Sequence, residues 1–436
     1  MRRYFDFAAH KTDYRQETVA GFTTFLTMAY IIVVNPAILE AAGIPKGACM
    51  TATILSAAFG TLVMGFYARR PFAIAPYMGE NAFIAFTVVK VLGFPWQTAL
   101  GAIFVAGVAF TLLTVLGIRG WLANAIPLSL KYSLSAGVGL FLTFIGLNDT
   151  GLVVLGVPGA PVQLGAIGSK PVLLALGGFF FMAWLMARRI RGAVILGILT
   201  ITLCSIIIGV TPAPHAIVAT PPSLTPLLGQ LDIRGALSLK ALPVVIIIFI
   251  MAFLDTVGTL IGLSSRAGLL DEHGNLAEIE KPMLADALAN LMAPLLGTTT
   301  SGAYIESAAG IEEGGRTGFT AVVTAGLFLL ALFFVPLFTM VPAHAYGAAL
   351  IMIGMLMLAP VQKLNFADFT ELIPSLLTIV LISFTYNIGV GMTAGLLAYP
   401  VLKLLAGRAA EVSLPMWILA VVSLTYYLVY PNLTAK

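Results

Sequence analysis

Charge is what this chain has least of. Of its 436 residues, 10% are Asp, Glu, Lys or Arg, against about 25% in an average soluble domain. A surface so short of charge excludes an ordinary solvated globule. Cysteine is nearly absent: Cys49 and Cys204 both lie in apolar runs, which excludes a disulfide framework. Histidine is sparse too. His10, His215, His273 and His344 are scattered without metal-ligand spacing, so no metal site is expected. The HExxH, paired-Asp and Ser/His arrangements that intramembrane hydrolysis needs are missing. The stretch "GVPGAPVQLGAIG" has glycines but not the Lys and Ser/Thr of a phosphate loop, which excludes nucleotide binding. An enzyme, and any cofactor, is therefore not expected. The N-terminal "MRRYFDFAAHKTDYRQE" has no apolar core followed by a cleavage site, so it does not read as a secretory signal peptide.

What fills the chain is apolar. Hydrophobic residues make up 59% and the mean hydropathy is +1.01. At roughly 20 residues per crossing, about 12 to 15 membrane spans fit. The net charge of +4 then reflects loop lysines and arginines, and nucleic acid is not an expected partner. Arg2, Arg3, Lys11 and Arg15 precede the first span. Arg69 with Arg70, Arg119 with Lys131, and Arg188, Arg189 and Arg191 fall in alternate short loops, while the intervening loops carry isolated Lys46, Lys90 and Lys170. This asymmetry puts the N-terminus in the cytoplasm and the protein in the plasma (inner) membrane as a multi-pass chain.

The sequence is also written twice. "QTALGAIFVAGVAFTLL" aligns without a gap to "RTGFTAVVTAGLFLLAL", so that Thr98, Ala102, Ala106 and Gly107 match Thr317, Ala321, Ala325 and Gly326. "TMAYII" pairs with "IMAFLD" upstream, and Gly197 and Gly209 pair with Gly395 and Gly407 downstream. The matches fall in chain order, as repeats should. Spans are expected near 17–39, 48–67, 73–92, 97–118, 132–150, 171–187 and 192–210, then near 242–264, 282–296, 300–311, 317–340, 345–361, 371–387 and 388–406. Seven spans per half fit the loop charges and make the halves inverted, the architecture of secondary transporters. The expected fold is thus an all-α polytopic membrane protein of about 14 segments, with short extended pieces in segments 3 and 10. The stretch 414–430 has no place in the repeat.

Segments 3 and 10 are abnormal in the same way. Both are interrupted by Pro or Gly, both carry a carboxylate ("APYMGENAF" and "TTTSGAYIES"), and they occupy corresponding places. A matched pair of broken segments points to a transporter's binding site, because irregular backbone at membrane depth survives only where protein buries it or it lines a cavity. An Asp at a helix centre costs about 2.5–3.5 kcal/mol to insert, so Asp255, Glu306 and Glu80 need reasons. Asp255 is either a packing hydrogen-bonder beside Thr256 or functional. Glu306 either caps the half-helix that begins near it or reads a ligand. Glu80 lies either in a cavity or near a membrane face, and Asn81 is a cap or a ligand contact. Glu312, Glu313 and Arg316 of "IEEGGRTG" read as a loop salt-bridge network. "DEHGNLAEIEK" reads as a solvated loop.

"TTTSGAYIESAAGIEEGGRTG", "FLTMAYIIVVNP", "GENAFIAFTVV" and "FLDTVGTLIG" together resemble the nucleobase–cation symporter 2 family, in its azaguanine/hypoxanthine-type purine permease branch. The resemblance runs from about Phe5 to Gly407. It implies a core domain of segments 1–4 (17–131) and 8–11 (242–344), and a gate domain of segments 5–7 (132–210) and 12–14 with the C-terminal stretch (345–431). It implies import of guanine, hypoxanthine or adenine coupled to H⁺, or to Na⁺, by alternating access. Glu306 would accept hydrogen bonds from purine N–H groups. Asp255 would be the acidic residue of segment 8, Asn81 the polar residue of segment 3, and Tyr304 and Ile305 would offer backbone groups. Asp255, Glu306 and Glu80 are the candidates for proton coupling. The branch more often reads like "APGMGLNA" where this chain has "APYMGENA", so Tyr77 and Glu80 depart from it. The expected partners are a purine nucleobase, the lipid bilayer and, through the gate domains, a second copy. The alternative cargo on the same fold is uracil or xanthine, or an inorganic anion.

Overall fold

The computed structural model describes residues 2–116, 126–157, 160–214, 216–269, 276 and 278–434. Arg119, His215, His273 and residues 271–275 and 277 of the "DEHGNLAEIEK" stretch lie outside the described residues. Nine helices among the described residues are long and apolar enough to cross a bilayer. They form segments 1 (Tyr14–Glu40), 2 (Lys46–Ala68), 4 (Trp96–Val115), 5 (Leu128–Asp149), 6 (Lys170–Ala187), 8 (Leu242–Ser264), 11 (Gly318–Thr339), 12 (Ala343–Lys363) and 14 (Ile388–Leu405). Segments 7 (Ala193–Ile207) and 13 (Phe369–Thr385) are shorter apolar helices, and segment 9 (Glu280–Leu296) is a more polar one. Segments 3 and 10 are half strand and half helix. Strand β1 (Ile74–Pro76) leads segment 3 into a helix over Met78–Ala82 that widens to π-type turns over Phe83–Val91. Strand β4 (Ser301–Ala303) leads segment 10 into the short helix Ser307–Glu312. The protein is a multi-pass membrane protein with the expected seven-plus-seven arrangement.

Local chemistry sets the segment ends. Asp13 caps segment 1 by accepting from the Gln16 N–H at 2.8 Å, and Asn387 caps segment 14 through the Val390 N–H at 3.1 Å; each satisfies an amide that the first helical turn leaves unbonded. Segment 11 begins with help from another segment. The buried Glu17 carboxylate accepts from the N–H groups of Arg316 (3.1 Å), Thr317 (3.3 Å) and Thr320 (3.2 Å) and from the Thr320 hydroxyl (2.6 Å). Segment 1 breaks at Ala29–Tyr30. There the Ile32 and Val33 amides bond three residues back, to Ala29 and Tyr30, at 3.1 and 3.0 Å, a tightening typical of a hinge.

Segments 1, 2, 4, 8, 9 and 11 pack around the two broken segments, while segments 5, 12, 13 and 14 pack with 6 and 7 beside them. Segments 5 and 12 approach closely through small residues: a Cβ on Gly146 would lie 2.5 Å from the Gly347 carbonyl, and one on Gly354 2.4 Å from that of Gly139. Between the two groups, on the face away from the N-terminus, sits Tyr386 in the turn between segments 13 and 14. Its backbone is left-handed, at φ +53°. Its ring lies 5.2–6.2 Å from those of Phe86, Phe141 and Phe144, its hydroxyl accepts from Asn148 at 2.7 Å, and its carbonyl accepts from Thr87 at 3.1 Å.

Three features differ from the sequence reading. "GVPGAPVQLGAIG" belongs to a β-hairpin, β2 (Val153–Val157) paired antiparallel with β3 (Ala160–Leu164), whose valines suit strands. Glu312, Glu313 and Arg316 do not bind one another. Glu312 pairs with Arg266 at 2.7 Å and Glu313 with Arg191, while the Arg316 guanidinium donates to the carbonyls of Ile311 and Gly315 at 2.6 and 2.9 Å. The stretch after segment 14 is a further helix, Leu414–Thr434, packed against segment 14.

Candidate functional site

Strands β1 and β4 make a two-stranded antiparallel ribbon in the interior, pairing Ile74 with Ala303, Ala75 with Gly302 and Pro76 with Ser301. Backbone bonds from Tyr77 to Thr300 (3.0 Å) and from Tyr304 to Ala73 (2.9 Å) extend it. Away from water both outer edges need partners, and side chains supply them. On β4, Asn290 accepts from the Ser301 N–H at 3.0 Å and Asp286 from the Ala303 N–H at 2.7 Å; the four-residue spacing puts both on one face of segment 9. On β1, Thr61 both accepts from the Ile74 N–H (2.9 Å) and donates to its carbonyl (3.1 Å). Gly302 is required where it stands, since a Cβ there would come within 2.0 Å of the Tyr77 hydroxyl that crosses over it.

Glu306 and Glu80 follow the two strands at opposite ends of this ribbon. Glu306 occupies the cap position of Ser307–Glu312 but makes no capping bond. Its carboxylate instead accepts from the Tyr30 hydroxyl, at the break in segment 1. Tyr304 is buried, and its hydroxyl donates to the Pro76 carbonyl at 3.0 Å. Its backbone N–H is taken by Ala73 and its carbonyl accepts from Ser307 at 3.0 Å, so of the two residues expected to offer backbone groups, Tyr304 has its own engaged. The Ile305 side chain is 53% exposed.

Glu80 is fully buried, and no N–H group or hydroxyl of another residue reaches either of its oxygens. The Asp255 carboxyl group lies against it as its nearest polar neighbour. Asp255 does not bond Thr256, whose hydroxyl goes to Asp286; the Tyr77 hydroxyl is 3.3 Å from that of Thr256. Asn81 is fully buried too, and it does not cap. Its amide donates to Asn35 Oδ1 at 2.9 Å, which fixes the orientation of the group and leaves Asn81 Oδ1 without a partner. Asn35 in turn donates to Thr53 and Thr298 at 2.7 and 2.9 Å. Glu306, Glu80, Asp255, Asn81, Tyr304 and Ile305 therefore all gather around one ribbon. Sequence reasoning missed Tyr30, Asn35 and Asp286. For Asp286 the Asp286/Asn290 spacing in an otherwise apolar helix was the available signal.

A ribbon between two half-helices, each led into by a strand from one repeat, defines a secondary-transporter architecture. The structure overlays on the transmembrane domain of a cyanobacterium bicarbonate transporter, BicA, with TM-score 0.64 at 17% identity, over 87% of this chain and 96% of that one. It overlays on the murine anion transporter Slc26a9 in its inward-facing state with TM-score 0.63 at 11% identity, over 91% of this chain and 69% of that one. In sequence, the model of the permease family matches residues 15–396. The chain belongs to that family, the nucleobase–cation symporter 2 family. It is 46% identical to a putative permease of Methanocaldococcus jannaschii over 97% of both chains. It is 40% identical to the adenine permease AdeP of Escherichia coli, over 95% of this chain and 92% of that one. Identity is also 40% to the guanine/hypoxanthine permease PbuG of Bacillus subtilis, over 98% of this chain and 99% of that one.

Proposed function

We propose that this chain imports purine nucleobases together with a proton, by alternating access, across the plasma (inner) membrane with its N-terminus in the cytoplasm. The observation that carries the reading is the Glu306 carboxylate, half-buried and held by Tyr30 at the end of an interior ribbon, in a chain that resembles adenine and guanine/hypoxanthine permeases equally. Glu306 accepts from a ring N–H of the base, a charge-assisted bond about twice as strong as a neutral one. Ile305 offers backbone groups beside it, and Tyr304 contributes shape. The ribbon is about 10 Å long at 3.3 Å per strand residue, so a flat bicyclic base lying along it meets Glu306 at one end and Glu80 and Asn81 at the other. Asp255 carries the coupling proton: a charged carboxylate at this depth is costly, and loading a proton removes that cost while segment 8 moves. Segments 1–4 and 8–11 act as the core, and segments 5–7 and 12–14 as the gate and the homodimer surface.

An inorganic anion fits less well, because the charged groups gathered here, Glu306, Glu80 and Asp255, are carboxyl groups, which repel it when ionised, and no Lys or Arg among the described residues offsets them. The test is uptake of labelled adenine, guanine and hypoxanthine into cells lacking their own permeases. Accumulation of at least one base, abolished by a protonophore and indifferent to Na⁺, is the expected outcome. No uptake above vector controls would overturn the purine reading, and dependence on Na⁺ would overturn the proton.

A further inference from the structure

At the end of the ribbon that Tyr77 and Thr300 close, both Glu80 oxygens and Asn81 Oδ1 are buried acceptors. No N–H or hydroxyl of another residue reaches them, and the Thr300 hydroxyl is unpartnered beside them. The Asp255 carboxyl group lies against Glu80, and the pair shares a proton between them, which leaves the remaining lone pairs of the two groups as acceptors. Asp286 is on the next segment, but its oxygens are already occupied by the Ala303 N–H and the Thr256 hydroxyl. The Tyr77 hydroxyl, on the same segment, lies 3.3 Å from that of Thr256 instead. A buried acceptor left unsatisfied costs about 1–3 kcal/mol, and more when charged. Such a patch is tolerated where a ligand brings the missing donors. Acceptors favour an amino group, which has two N–H bonds to donate, over a carbonyl, which would set acceptor against acceptor.

We propose that Glu80, beside Asp255 and Asn81 Oδ1, forms an acceptor patch that binds the exocyclic amino group of an amino-bearing purine and so determines which base this transporter prefers. The assignment rests on the purine reading above. It gives a role to the position at which the chain departs from its branch, where an apolar residue would leave no acceptor. Segment 3 reaches the patch with Gly79, whose missing side chain lets Val138 of segment 5 close over it; a Cβ there would lie 3.1 Å from that valine.

Two matched pairs of bases isolate the amino group. Adenine and unsubstituted purine differ by the 6-amino group alone, and guanine and hypoxanthine by the 2-amino group alone. Equilibrium binding of these four to the purified full-length protein gives two ratios. In Glu80→Leu at least one ratio is expected to fall about ten- to hundredfold, the loss that goes with a hydrogen bond to a charged group, while hypoxanthine and purine hold their affinities. Should Glu80→Leu not fold, Glu80→Gln has nearly the same volume, keeps one carbonyl acceptor and adds a donor, so the same ratio falls by less. Both ratios unchanged in a folded variant, or all four bases weakened alike, would overturn the assignment. Failure of the unmodified protein to bind any of the four would overturn the purine reading itself, and it is seen before any variant is compared.

Discussion

Glu306 spends its carboxylate on Tyr30 and leaves the amides of its own short helix uncapped. Two substitutions follow from that choice. Glu306→Gln keeps the shape but removes the charge and offers a donor where an acceptor is needed; purine affinity is expected to fall ten- to hundredfold, roughly 1.5–3 kcal/mol. Tyr30→Phe leaves the carboxylate but frees its rotamer, and a loss of about tenfold is expected. Equilibrium binding on the purified variants checks both, with unchanged thermal unfolding showing that the fold is kept. Glu306 was legible because a charge in a string of small residues has few structural uses. Tyr30 was not, since one tyrosine in an apolar run is ordinary composition. Asp286 hid among the charges of "EKPMLADALAN", where an acidic residue near a helix start looks solvated; only the folded ribbon shows the Ala303 amide it accepts from.

At the scale of elements, the ribbon depends on segment 9. Asp286→Ala strands the Ala303 N–H and the Thr256 hydroxyl away from water, each worth about 1–3 kcal/mol, whereas Asp286→Asn keeps an acceptor for the amide. Lower thermal stability and a poor yield of folded protein are expected for the first and not for the second, as read by size-exclusion profiles with temperature. A second element-scale effect depends on pH. Arg408 binds Glu411 at 2.6 Å and Asp368 at 2.8 Å, and Lys403 binds Glu411 at 2.8 Å, joining the start of segment 13 to the end of segment 14. Hydrogen bonds from Arg408 and Lys403 hold Glu411 down from its ordinary 4.5 to about 2, and bonds from Thr370 and Arg408 hold Asp368 below its usual range. Because the folded values are depressed, the stabilisation is whole above about pH 4.5 and drains away as the pH falls towards 2. Limited proteolysis of the loop after segment 14 should therefore accelerate across that window, and Arg408→Ala should show the fast rate at neutral pH. Exposure to water keeps the effect modest.

At the scale of the molecule, the Tyr386 cluster lies between the two groups of segments on the face away from the N-terminus, while Ile305 is exposed. Tyr386→Ala removes the ring that fills the gap between Phe86 and Phe141. In a background lacking Cys49 and Cys204, a cysteine in place of Phe86 is then expected to react with an impermeant thiol reagent added from that face, and to stay protected when Tyr386 is present. The fold class was readable at this scale because hydropathy counts crossings and the paired motifs fall in chain order. Where one group of segments touches the other was not readable: Thr87, Asn148 and Tyr386 are far apart in sequence and individually unremarkable. The β2–β3 hairpin was not readable for another reason: its strands are five residues each and exposed or half-exposed, so no buried face marks them in the sequence.

The register of the ribbon has a consequence for which changes of length the chain can absorb. Side chains alternate along a strand, so a shift of one residue turns each to the opposite side. Losing or gaining one residue between Thr298 and Gly302 would place a side chain under the Tyr77 ring and carry the Ser301 and Ala303 amides away from Asn290 and Asp286. The β2–β3 hairpin is packed far less closely: β3 is exposed along its whole length, as is Leu155 of β2. Insertions and deletions should therefore be tolerated in the exposed strand β3 and be purged from the few residues of "TTTSG", making chain length as strict a requirement there as residue identity.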